Sequence, residues 1–191
     1  MNKILLTSAG FENPNVGQKF IDLLEKPAAN AKVMFIPTAA NCPEAICMLD
    51  KCKEELYGVG IKPENLFDYN LDYNLAIKDA LKFDAIYFAG GDPTYLLSRI
   101  KEMNFDVTIN KLLAAGRVYV GVSAGSVVAA PENIYSEAED ICNKALNLVN
   151  CYMHVHCEEG NIQPKDENSF VVWLTDKQAI LATGSTLQII Q

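Results

Sequence analysis

One serine and two histidines frame the chemistry open to this chain. Ser123 stands at the centre of Gly121-Val122-Ser123-Ala124-Gly125, a G-x-S-x-G string that follows the apolar run Val118-Tyr119-Val120 and precedes Val127-Val128. After a strand and before a helix, that string marks an elbow that lifts a serine hydroxyl out of the sheet edge. Small neighbours are needed because the chain reverses tightly and its central residue takes a strained conformation. The hydroxyl then lies beside the first turn of the next helix. Free backbone N–H groups there favour negative charge developing on a substrate oxygen.

A serine hydroxyl attacks only when a base takes its proton, so Ser123 requires a histidine within hydrogen-bond reach. His154 and His156 are the two in the chain. They alternate with Met153 and Val155, so a strand through them points both to one side, and spacing leaves either open as the base. Glu137, Glu139 and Asp140 cluster in the acidic stretch after Pro131. They can orient the histidine or simply form a solvated charged loop. Gly91, in Gly90-Gly91-Asp92-Pro93, offers a backbone N–H unobstructed by a side chain, which with the N–H of Ala124 would make an oxyanion hole. Cys151, His154, His156 and Cys157 carry zinc-type ligand atoms, but four ligands within seven residues of an extended segment converge poorly on a tetrahedron. No metal and no cofactor is expected.

These groups need a scaffold, and the hydrophobic pattern describes one. Apolar runs at Lys3 to Ser8, Lys32 to Pro37, Asn65 to Tyr69, Ala85 to Ala89 and Arg117 to Val122 read as strands, the continuous ones buried on both faces. Helical spacing falls between them at Asn15 to Leu24, Pro43 to Tyr57, Leu75 to Leu81, Pro93 to Ile100 and Phe105 to Ala115, with Asp92 placed to cap and Pro93 to occupy a first turn. Phe170 to Leu174, Gln178 to Thr183 and Thr186 to Ile190 read as antiparallel hairpins that close the sheet. The alternation predicts an α/β three-layer sandwich, a mainly parallel doubly wound sheet with C-terminal antiparallel hairpin strands, in one domain over residues 1–191. Loops at the strand C-terminal ends then collect Thr38-Ala39-Ala40, Gly90-Gly91-Asp92 and Ser123.

Composition narrows the partners. A net charge of −8 and no run of lysines or arginines argue against nucleic acid, whose phosphates call for a basic face. No apolar stretch reaches the length of a membrane span, and Ile4-Leu5-Leu6 is too short for a signal-peptide core, so a cytoplasmic protein with no membrane partner is expected. The six cysteines are then reduced thiols. Cys42, Cys47 and Cys52 recur every five residues, turning about 140° apart on a helix, and cannot share a metal face. Oligomeric state leaves no trace in the sequence.

Taken in order, Phe88-Ala89-Gly90-Gly91-Asp92, Gly121-Val122-Ser123-Ala124-Gly125 and Val155-His156 resemble the peptidase E family, cytoplasmic serine peptidases known as aspartyl dipeptidases. The resemblance spans most of the chain and implies a fold similar to class I glutamine amidotransferases, with serine in place of cysteine. It implies Ser123 as nucleophile, His156 rather than His154 as base, an oxyanion hole at Gly91 and Ala124, and short peptides as substrates, including dipeptides with N-terminal aspartate. A third triad member between serine and histidine would be Asp140, then Glu139, then Glu137. The chain departs from the family at Asp92-Pro93, where an asparagine and a threonine are usual, and at Val155, where proline precedes the histidine. The arginine that holds an acidic substrate has no match. Arg99 and Arg117 lie elsewhere, and Lys165 offers a point charge without the bidentate fork. Two other readings stay open, a non-catalytic relative binding a small ligand or partner at the same strand ends, and a serine esterase.

Overall fold

The computed structural model describes residues 2–136, 144–184 and 186–191. Its central sheet has seven strands in the order Thr186–Ile190, Ala179–Thr183, Lys3–Thr7, Val118–Val122, Ala85–Phe88, Val33–Ile36 and Leu66–Asp68. Strands β1 (Lys3–Thr7), β2 (Val33–Ile36), β3 (Leu66–Asp68), β4 (Ala85–Phe88) and β5 (Val118–Val122) run parallel. Strands β9 (Ala179–Thr183) and β10 (Thr186–Ile190) form an antiparallel hairpin that extends it beyond β1. Parallel strands need crossover connections, and these are the helices α1 (Pro14–Leu24), α2 (Pro43–Cys47), α3 (Leu49–Gly58), α4 (Ile77–Ala80), α5 (Pro93–Glu102) and α6 (Phe105–Ala114).

The sheet is covered on both faces, as its uninterrupted apolar strands require. Along β5 all five residues are buried. Tyr119 joins one core with Phe88, Leu97 and Ile109, whereas Val118, Val120 and Val122 join the other with Phe20, Phe35 and Leu56. Asp92 caps α5, its Oδ1 accepting the N–H groups of Thr94 at 2.8 Å and Tyr95 at 3.0 Å, with Pro93 in the first turn.

Two elements of the fold depart from sequence expectation. The helix expected over Pro43 to Tyr57 is broken at Met48, whose N–H turns back to the Ala45 carbonyl three residues earlier. No residue of α2 is buried, so no packing holds it on the axis of α3. Phe170–Trp173, expected in the terminal hairpins, instead forms β8 of a separate three-stranded sheet. There it runs parallel to β6 (Cys151–His154) and antiparallel to β7 (Asn161–Pro164). Strand pairing is a choice between distant segments, and an apolar run by itself does not name its partner.

Candidate active site

Four of the five parallel strands, β1, β2, β4 and β5, end along one edge, with Thr7 in register with Val122, Phe88 with Gly121 and Ile36 with Phe88. Ser8, Ala39, Gly91 and Ser123 therefore emerge side by side. Ser123 has φ 47° and ψ −105°, a region costly for any side-chain-bearing residue. Its surroundings hold it there. The Ser123 N–H donates to the Thr7 carbonyl at 3.0 Å, the Ser126 hydroxyl reaches the Thr7 and Gly121 carbonyls at 2.8 Å each, and the Tyr119 hydroxyl donates to the Gly125 carbonyl at 2.7 Å.

The elbow glycines are required sterically. A Cβ on Gly121 would collide with the Gly125 carbonyl, and one on Gly125 would stand 2.7 Å from both Cβ and the carbonyl oxygen of Phe88. Gly91 has φ 139°, and a Cβ there would enter the Ala39 carbonyl. Helix α7 (Ala124–Val127) starts directly at the serine, so Ala124 supplies the first N–H beyond the nucleophile.

The small sheet delivers the partner groups. Strands β6 and β8 run parallel with His154 opposite Trp173, so the segments that follow them leave together. The Leu174 N–H donates to the His154 carbonyl at 2.9 Å, and the Cys157 N–H to the Leu174 carbonyl at 3.0 Å. His156 lies on the first segment and Asp176 on the second. The second segment then enters β9, whose Ala179 pairs with Thr7 beside the end of β1. His156 and Asp176 are thereby brought over Ser123.

His156 Nε2 lies 2.9 Å from Ser123 Oγ, and His156 Nδ1 lies 2.7 Å from Asp176 Oδ1. With a proton on Nδ1 donated to the carboxylate, Nε2 is left as the acceptor facing the serine. Ser8, fully buried, donates its hydroxyl to Asp176 Oδ1 at 2.8 Å and accepts the His156 N–H at 2.7 Å. Burial raises the affinity of Asp176 for a proton, but the hydrogen bonds from Ser8 and His156 outweigh it and hold the carboxyl below its ordinary range.

His154 and His156 do not share a side. The expected alternation ends where the strand ends, because His156 has φ 58°. His154 instead stacks on Trp173, ring centroids 5.3 Å apart and planes 2° apart, and burial pushes its pKa down. Cys151 and Met153 point into the core, and burial pushes the Cys151 thiol up to about 12. Glu137, Glu139 and Asp140 lie outside the described residues. The position beside Nδ1 that they were expected to fill is held by Asp176, which sequence reading missed. Thr175-Asp176-Lys177 looks like a polar turn between strands, and nothing in its local sequence marks it as more.

Two cavities flank the serine. One, of about 160 Å3, is lined by Ala9, Met48, Leu49, Cys52, Val122 and neighbouring polar groups. The other, of about 240 Å3, lies against Gly91, Pro93, Ala124, Val127, Tyr135 and Val155. Neither contains an arginine. Arg99 bonds Glu102 and the Leu71 carbonyl, Arg117 bonds Asp84 and the Leu81 carbonyl, and Lys165 sits over the Tyr152 ring.

A model of peptidase family S51 matches residues 4–190. The chain belongs to peptidase family S51. Among its S51 and peptidase E relatives, it is 34% identical over 118 residues to the Uncharacterized peptidase Lmo0363 of Listeria monocytogenes, covering 62% of this chain and 58% of the relative. It is 32% identical over 96 residues to Peptidase E of Shewanella amazonensis, covering 50% and 39%. The matched stretches span less than two thirds of these relatives' own length. A solved structure of a candidate peptidase E from Listeria monocytogenes EGD-e superposes with a TM-score of 0.78 at 24% identity, over 100% of this chain and 98% of that one, which establishes the shared fold. Among the described residues no helix is long and apolar enough to cross a membrane.

Proposed function

We propose that this S51 member is a serine peptidase hydrolysing short peptides through an acyl-enzyme on Ser123. The observation that carries the reading is the unbroken line from Ser123 Oγ to His156 Nε2 at 2.9 Å and from His156 Nδ1 to Asp176 Oδ1 at 2.7 Å. His156 takes the hydroxyl proton as Oγ bonds to the scissile carbonyl carbon, and the N–H groups of Gly91 and Ala124 receive the developing oxyanion. The protonated imidazole then passes its proton to the departing amine as the C–N bond breaks. Water repeats the sequence to free the acid and regenerate Ser123. Asp176 holds the imidazole in the useful tautomer and faces its positive charge. No step calls for a cofactor.

Turnover of a dipeptide panel and labelling by a fluorophosphonate test this directly. The expected result is labelling of the wild type at Ser123, lost in Ser123→Ala together with peptide turnover, by on the order of 10^4-fold or more. Equal turnover by wild type and Ser123→Ala would overturn the role of Ser123. Binding of peptides without labelling or turnover would favour a non-catalytic relative, and turnover of esters alone would favour an esterase.

A further inference from the structure

We infer that the smaller cavity beside Ser123 is a substrate subsite for an uncharged aliphatic side chain, such as that of leucine or methionine, at one of the two residues flanking the scissile bond. This rests on Ser123 being the nucleophile, as proposed above. Ser123, His156, Gly90 and Gly91 form one wall of the cavity, so whatever fills it lies against the reacting atoms. Its opposite wall is Ala45 of α2, Met48 between the helices, and Leu49 and Cys52 of α3. Met48 leaves 49% of its surface in water although it is large and apolar. Burying part of that surface under an aliphatic side chain contributes to binding in proportion to the area removed from water.

The charges point the same way. Lys51 is the cation lining this cavity, and it is already bonded to Glu12, which raises its hold on its proton. Glu55 lines the cavity as well, with Oε2 occupied by the Phe11 N–H at 2.7 Å. Two carboxylates thus surround one ammonium, and no guanidinium is turned toward the site. A substrate carboxylate would lose water and meet no unpaired positive partner. An acidic residue is rejected by that mismatch, and an aliphatic one meets no such cost.

The test measures kcat/KM on two dipeptide series, X-Ala and Ala-X, with X as leucine, methionine, aspartate or lysine, for the wild type and Met48→Arg. At one of the two positions the wild type is expected to prefer leucine or methionine over aspartate by about 100-fold. Met48→Arg, checked for folding by its melting transition, is expected to lower that leucine-to-aspartate ratio at least about tenfold at the same position, by supplying a cation and removing an apolar wall. Aspartate matching or exceeding leucine at both positions overturns the subsite, as does a ratio unmoved by Met48→Arg. The nucleophile is read out separately with 4-nitrophenyl acetate, whose acyl group has no side chain to fill the cavity. Ester turnover with an acidic preference overturns the subsite alone. Failure of both ester turnover and fluorophosphonate labelling overturns the hydrolase reading and the subsite with it.

Discussion

The buried hydroxyl of Ser8 donates to Asp176 Oδ1 at 2.8 Å while accepting the backbone N–H of His156 at 2.7 Å. One side chain at the end of β1 thus ties the carboxylate and the imidazole segment to the central sheet. In Ser8→Ala the His156 N–H loses its acceptor and Asp176 loses a donor that helps keep it ionised. We expect kcat to fall about 10- to 100-fold with KM little changed, as for loss of a group that positions rather than binds. The carboxyl titration of Asp176, followed by NMR, should move upward, because a carboxylate stripped of a donor is protonated more easily. Ser8→Thr, which keeps the hydroxyl, should recover part of the rate. An unchanged kcat and an unmoved Asp176 titration would show Ser8 to be mere packing.

Asp176 should matter through tautomer and charge rather than through binding. Asp176→Asn is expected to reduce kcat on the order of 10^2- to 10^4-fold with KM close to wild type. Asp140→Asn, measured alongside, should cost far less. The reverse ranking in steady-state kinetics would return the third role to the acidic segment.

The depressed affinity of Asp176 for protons also enters stability. A carboxyl bound more weakly to its proton in the folded chain than in the unfolded one stabilises the fold fully above the ordinary aspartate value near 3.8, and that contribution fades as pH falls through the lower folded value. Melting of wild type and Asp176→Asn between pH 2 and about 6 should therefore differ most at the upper end and converge at the lower. The half-exposed side chain makes the difference small. A gap that widens on acidification would contradict the sign.

Gly125→Ala should be costly although it adds one methyl group. That methyl would lie 2.7 Å from Phe88 Cβ and its carbonyl, so either β4 shifts or the elbow opens. We expect about 1–3 kcal/mol less stability by urea unfolding. Activity should drop more than the folded fraction explains, since Ser123 is aimed by the same turn. Unchanged stability and rate would mean that the elbow has slack.

Much of the scaffold is readable from local pattern. The five parallel strands lie within a residue or two of the apolar runs, and Asp92 and Pro93 start α5 as their chemistry requires. The elbow at Ser123 was legible for the same reason. Its glycines, its strand and its serine are contiguous, so one short string carries the whole steric argument. The break at Met48 was not legible, because it depends on α2 finding no core to pack on.

The sequence by itself determined the α/β alternation, the nucleophile candidate and the glycine at the neighbouring strand end, since each rests on residues adjacent along the chain. Spacing left the two histidines equivalent and only the family resemblance favoured His156; the tertiary structure brings His156 onto Ser123, and it alone decided which carboxylate meets that histidine. His156 and Asp176 are 20 residues apart and are joined by β6 pairing with β8 and by β9 pairing with β1. Pairing between distant strands is set by the free energy of the whole packed molecule, and no local spacing records it.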